Sequence, residues 1–209
     1  MNKYFIRYIF FGILLLLGSC KGKTNSDRST SPSITARPFI KEIPRDKFHY
    51  QVTRDKERQL GLDSLEGGFN GLQIRIWYDH SLFNLRELVV ISNKNSNWTA
   101  TLYEMDVDWI GETEKIKAKH IKNAIPKSGW AAFIKKLLEL QILTLPDQRE
   151  INDYGLGADG TTYNFEIATK NQYRFYGYWE PGNRQKKFWQ AEKVVEILGL
   201  VNAELGASY

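Results

Sequence analysis

Eight consecutive residues place the tightest limit on how this chain can fold. From Leu72 to Asp79, apolar Leu72, Ile74, Ile76 and Tyr78 alternate with Gln73, Arg75, Trp77 and Asp79. Successive side chains of a strand point to opposite sides, so a period of two predicts a strand with one buried face. Leu88 to Ile91 is an unbroken apolar run, which predicts a second strand buried on both faces. Trp98 to Val107 reads as a third strand, and its apolar register changes near Leu102-Tyr103, which predicts a bulge there. With a turn at Gly67-Gly68 and a polar turn over Asn93 to Asn97, the three form an antiparallel meander.

The pattern then changes period. Trp130, Phe133, Ile134, Leu137 and Leu138 follow helical spacing, Ser128 is placed to cap the helix, and Pro146 closes the segment. Asp159-Gly160 opens a hairpin whose strands carry Tyr163, Phe165 and Ile167, then Tyr173, Phe175 and Trp179. An odd-numbered loop would set Ile167 opposite Tyr173, Phe165 opposite Phe175 and Glu166 opposite Arg174. After Pro181-Gly182, residues 184–205 read as a last helix with Phe188, Ala191, Val195, Leu198 and Leu205 inward. Residues 39–66 have mixed character and read as an edge strand or an arm. The expectation is an α+β fold, an antiparallel sheet of about five strands with two packed helices, in the order β-β-β-α-β-β-α.

The N-terminus carries an address. Lys3 and Arg7 precede ten uncharged residues from Tyr8 to Leu17, too few to match the ~20 apolar residues of a spanning helix. Leu17-Gly18-Ser19-Cys20 closes the run and resembles the lipobox of bacterial lipoproteins. The resemblance implies a signal peptide over residues 1–19 and a lipid on Cys20, the membrane partner of the mature chain. Lys21-Gly22-Lys23 departs from the aspartate that can retain lipoproteins in the inner membrane, and from the acidic run that favours surface display in Bacteroidota. The implied location is therefore the outer membrane facing the periplasm, with cell-surface display as the alternative. Residues 20–38, rich in Ser, Thr and Lys, read as the acylated cysteine and a flexible tether, and 39–209 as one globular domain. Lys21 to Arg37 as a coil would span roughly 20–25 Å. Cys20 is the single cysteine, so neither disulfides nor a thiolate nucleophile enters the domain.

Composition narrows the function classes. Of 29 basic residues Lys3 and Arg7 leave with the leader, and against 24 acids the remainder is a net +3, too mild for a nucleic-acid partner. Gly155 to Gly160 matches G-x-G-x-x-G, but a helix before it and a strand after it reverse what a dinucleotide site needs, and it reads as a flexible loop. Asp153 and Asp159 beside it lack calcium-loop spacing and read as a solvated turn. Asp79-His80-Ser81 holds triad residue types, yet neighbours on a strand point apart. His49, His80 and His120 are too scattered for a zinc motif. No catalytic residue, metal or cofactor is expected.

The candidate ligand-binding residues are Arg75, Trp77, Asn164, Glu166, Arg174, Tyr176 and Tyr178, read together as a face of aromatic platforms and charges suited to a protein or glycan. The competing expectation is a helix over this face, making the aromatics a second core layer. Trp130 and Trp189 read as core. Asp63-Ser64-Leu65 looks like a short O-glycosylation motif of exported Bacteroidota proteins. Residues 159–181 are similar to a pattern in bacterial envelope proteins that carries no assigned activity. The function expected is a non-enzymatic, lipid-anchored binding module, with a hydrolase acting on envelope polymers through paired carboxylates such as Glu166 or Asp159 as the rival.

Overall fold

The computed structural model describes residues 47–111, 113–157 and 159–207; the leader, Cys20 and the tether expected over residues 20–38 lie outside them. Helix α1 (Lys47–Leu60) comes first. Strands β1 (Leu72–His80), β2 (Leu85–Lys94), β3 (Asn97–Ile110) and β4 (Thr113–Ala124) follow as an antiparallel meander. Then come α2 (Trp130–Glu139), β5 (Thr161–Thr169), β6 (Gln172–Trp179), the short α3 (Pro181–Arg184) and α4 (Trp189–Leu205). All six strands form one sheet in the order β4-β3-β2-β1-β5-β6. The α+β class and the antiparallel sheet stand, but the expected order lacked α1 and β4, besides the single-turn α3.

Both omissions have a physical cause. Residues 47–60 read as an edge strand or arm because their inward stripe is charged and has few apolar positions, so periodicity was masked. In β4 every side chain from Lys117 to Asn123 is exposed, Lys117, Lys119 and Lys122 among them, which left no alternation to detect. Lysines on an outer strand discourage pairing with another sheet. The opposite edge is covered differently: Gly177 N–H donates to Asp147 Oδ2 at 2.9 Å and Trp179 N–H to Gln148 Oε1 at 2.6 Å.

The alternation from Leu72 to Asp79 is realised as β1, the second strand in from β6, with both faces covered. Ile74, Ile76 and Tyr78 join Val89, Ile91, Leu102, Phe165 and Ile167 beneath α2 and α4. Trp77, Leu88, Val90, Met105 and Val107 form a smaller core on the other face with Leu60 of α1. β2 is buried from Arg86 to Ile91, as its unbroken run demands. The register of β3 is continuous through Leu102-Tyr103, and the bulge lies between Asp106 and Val107. Its apolar pattern switches because Ala100 and Leu102 serve one core while Met105 and Val107 serve the other.

The β5–β6 hairpin corrects a second expectation. Thr169 pairs with Gln172 across Lys170-Asn171, so Ile167 faces Arg174, Phe165 faces Tyr176 and Tyr163 faces Tyr178. Glu166 and Arg174 are therefore on opposite faces. Strand alternation puts aromatics on both faces of β6 in either register, Phe175 on one and Tyr176 and Tyr178 on the other, and the turn decides which face each set meets. Arg174 resolves the mismatch by reaching the sheet margin, where it donates to the Leu143 carbonyl and, at 2.6 Å, to that of Leu145.

Smaller corrections concern helix ends. α2 begins after Gly129 with no side-chain cap, and Ser128 instead donates its backbone N–H to Glu204 Oε2 at 2.7 Å. The last helix starts at Trp189 and buries Ala191, Val194, Ile197, Leu198, Val201 and Leu205, while Val195 is half-buried. Trp189 is exposed; Trp130 stacks on Trp98 with ring centres 6.0 Å apart. Gly71, at φ +132°, is pressed so closely on the Asn93 carbonyl that no side chain fits.

Candidate functional site

The polar face of β1 is where sequence reasoning placed a binding surface, and α1 lies across it. The helix packs Tyr50 edge-on against Phe175 of β6, ring centres 5.4 Å apart. At its far end the Gln59 amide donates to the Glu114 carbonyl and accepts from Ile116 N–H, each at 2.9 Å, like one rung of an added strand on β4. Between these contacts Arg54, Lys56 and Glu57 are directed at the sheet.

Beneath α1 four cations, Arg54, Lys56, Arg75 and Arg86, meet four acids, Glu57, Asp79, Glu114 and Glu166. Glu166 is fully buried. It takes the Arg54 guanidinium, the Trp77 indole N–H at 3.2 Å and the Tyr173 hydroxyl at 2.9 Å. Arg75 pairs with Glu57, donates its Nε–H to Gln73 Oε1 at 2.9 Å, and donates to the Asp63 carbonyl at 2.7 Å. Lys56 and Asp79 pair, with Asn164 donating to Asp79 at 2.9 Å, and Arg86 holds Glu114. Burial would raise Asp79, but Lys56 and Arg86 outweigh it and hold its carboxyl below the usual range. Glu57 goes the other way. Burial, then the charge of Glu166, pushes it up to about 8 against Arg54 and Arg75. Burial and Glu166 likewise push Tyr173 up.

This arrangement positions a helix and presents nothing to solvent. Arg75, Trp77, Asn164 and Glu166 do share one face, as expected, but α1 seals it. Arg174, Tyr176 and Tyr178 lie on the other face, so the seven residues make no single surface. Tyr176 and Tyr178 are buried core aromatics that donate their hydroxyls to the Ile142 and Pro146 carbonyls at 2.5 and 2.6 Å. The helix-covered alternative is the one the structure realises. Glu166 has a charged cross-strand partner after all, Arg75 of β1 in place of Arg174 of β6.

The motifs resolve in the same geometry. Asp79 faces α1, whereas His80 turns to the opposite side, with ring nitrogens 3.1 Å from Glu87 and 2.9 Å from the Thr161 hydroxyl, so no triad forms. Among the described residues no three His, Cys, Asp or Glu side chains converge as metal ligands. Gly157 packs beneath Trp179, whose indole donates to the Asp159 carbonyl at 2.6 Å. Trp179 thus touches the loop at both positions. Ser64 of the short glycosylation motif is exposed.

Among the described residues two surfaces stand out, and sequence reasoning named neither. One is a cleft of about 250 Å³ floored by Val89 and Leu102 and bordered by Tyr78, Glu87, Glu104, His120 and Lys122. Glu87 and Glu104 are directly opposite on β2 and β3, and His120 is opposite Glu104 on β4. The other is the end of the sheet where β1 finishes. Leu82 and Phe83 in the β1–β2 turn are 69% and 66% exposed, and Trp109 and Ile110 at the tip of the β3–β4 hairpin 49% and 65%. Leu156, 65% exposed, adds a third loop. Backbone bonds tie these loops together: Ser81 N–H to the Gly160 carbonyl at 2.9 Å and Val107 N–H to the Asn84 carbonyl at 2.8 Å. The signal was legible as apolar residues inside turns, where solvated chain normally has none.

Comparison of the chain with family models, with curated proteins and with solved structures finds no match.

Proposed function

We propose that this chain is a lipid-anchored envelope protein whose domain is a non-enzymatic binding module, and that its contact surface is the loop end bearing Leu82, Phe83, Trp109, Ile110 and Leu156. One observation carries the reading: five large apolar side chains, half to two-thirds exposed, sit on three loops at one end of the sheet. Large apolar side chains exposed at one end of a domain are characteristic of interaction sites. The lipid on Cys20 and the outer-membrane location follow from the lipobox resemblance and belong to the same proposal. The test is site-specific photo-crosslinking in the native envelope from positions 83 and 110, with position 125 at the opposite end of the sheet as control. Adducts from 83 and 110 alone support the surface; equal labelling from all three refutes it.

A second reading, the polymer hydrolase, draws on the other open surface. Glu166 is sealed under α1, but the Glu87–Glu104 pair borders a cleft, and like charges directly opposite on neighbouring strands are destabilising by themselves. Cross-strand Cβ atoms ~4.5–5.5 Å apart resemble the ~5–5.5 Å carboxyl separation of retaining glycosidases. Cleavage of envelope glycan by the wild type and its loss in Glu104→Gln would favour this reading. A stability gain in Glu104→Gln with no activity in either protein would remove it.

A further inference from the structure

The cleft on the outer strands is a grid of two rows whose charges do not meet. Glu87, Glu104 and His120 are opposite one another across β2, β3 and β4, and Val89, Leu102 and Lys122 form the next row on the same face. Val89 and Leu102 are buried and floor the cleft, and Gly206 and Ala207, where the chain leaves α4, border it. Glu87 is only 6% exposed. His80 Nε2 lies 3.1 Å from its Oε2, and its Oε1 accepts no hydrogen bond from a described residue. Glu104, His120 and Lys122 are exposed and make no hydrogen bond or ion pair among the described residues, although opposite charges on neighbouring strands attract.

These groups define the charge of what fits. Two carboxylates side by side repel, and burial of one raises that cost. An ammonium group between them removes it, and the C-terminal end of α4 adds partial negative charge to the same cleft. A lone cation would meet Lys122, a lone anion would meet Glu87 and Glu104, and a neutral sugar would leave every charge unmatched. A molecule with an ammonium and a carboxylate on one carbon matches both signs, and an apolar side chain on it matches Val89 and Leu102. Facing Cβ atoms are ~4.5–5.5 Å apart and diagonal ones ~7–8 Å, so one small molecule spans Glu104 and Lys122. The cleft's volume of about 250 Å³ is just below the ~300–1,000 Å³ of drug-sized pockets, which sets the ligand at amino-acid size.

We propose that this cleft binds a free aliphatic α-amino acid, with Glu87 and Glu104 taking its ammonium and His120 and Lys122 its carboxylate. The inference goes beyond the loop-end reading and uses none of its residues, so crosslinking from positions 83 and 110 and the test below can fail independently. The test is calorimetric titration of the full chain, held in non-ionic detergent, with the L- and D-forms of alanine, valine and leucine. At least one binds one-to-one with a Kd below ~1 mM. The matching amine without a carboxylate, and the matching acid without an amine, bind ~10-fold more weakly or worse. Glu104→Gln and Lys122→Met, both at exposed positions, each weaken the amino acid ~10-fold, and only Glu104→Gln weakens the bare amine. Lys119→Met, on the opposite face of β4, binds like the wild type. No binding of any amino acid, an amine bound as tightly as the amino acid, or equal binding by wild type, Glu104→Gln and Lys122→Met overturns the inference. Glycan cleavage lost in Glu104→Gln, with no amino acid bound, gives the cleft to the hydrolase reading.

Discussion

Glu57 offers a pH-dependent stability whose sign the structure fixes. Its carboxyl has a folded-state pKa raised from 4.5 to about 8, by burial first and by Glu166 second. Between those values the folded chain holds a proton that the unfolded chain has released. Stability therefore falls as pH rises through this interval and levels off above it. Each unit of difference is worth about 1.4 kcal/mol, which sets an upper bound near ~4–5 kcal/mol. Arg54 and Arg75 partly accommodate the ionised form, so we expect a loss on the order of 2 kcal/mol between pH 5.5 and 8.5. Glu57→Gln imitates the protonated acid and keeps an acceptor for both arginines. It should match the wild type at pH 5.5 and exceed it at pH 8.5, measured by urea unfolding followed by tryptophan fluorescence. The difference between the two proteins isolates this residue from other titrating groups. A variant less stable than wild type at pH 8.5, or two parallel pH profiles, would refute the assignment of the shift to Glu57.

Other outcomes follow from the same contacts. Lys56→Met leaves buried Asp79 and Glu114 with Arg86 as their shared cation and should cost ~3–5 kcal/mol in urea unfolding. Tyr176→Phe deletes a donor to the Ile142 carbonyl and should cost ~1 kcal/mol in urea unfolding. Gly71→Ala drives a methyl into the Asn93 carbonyl at a φ that only glycine adopts readily, and should cost ~2 kcal/mol or more in urea unfolding. Arg174→Ala frees two carbonyls after α2 and should cost ~1.5–3 kcal/mol, read as a loss of stability with crosslinking at position 110 retained.

Wherever one kind of contact decided a segment, its sequence was legible. β1 and the core of β2 were readable because alternation and unbroken apolarity report burial directly. α2 and α4 were readable because their inward faces are apolar. α1 was opaque because it docks largely through Arg54, Lys56 and Glu57, which resemble a solvated stretch until their partners on three different strands are known. The candidate binding face failed for the same reason: Arg75, Trp77 and Glu166 look identical in sequence whether a ligand or a helix covers them.

Residue order by itself determined a chain without disulfides, an antiparallel α+β sheet, and two apolar helices packed upon it, because each follows from local periodicity or from residue type. Tertiary structure alone decided the register of β6, the helix over the charged face and the gathering of three apolar loops at one end. Those depend on which face a neighbour covers, a property of residues as distant in sequence as Arg54 and Glu166, 112 positions apart. A two-residue turn and an odd loop differ by one position in sequence, and only the presence of cores on both sides made the former the stable choice.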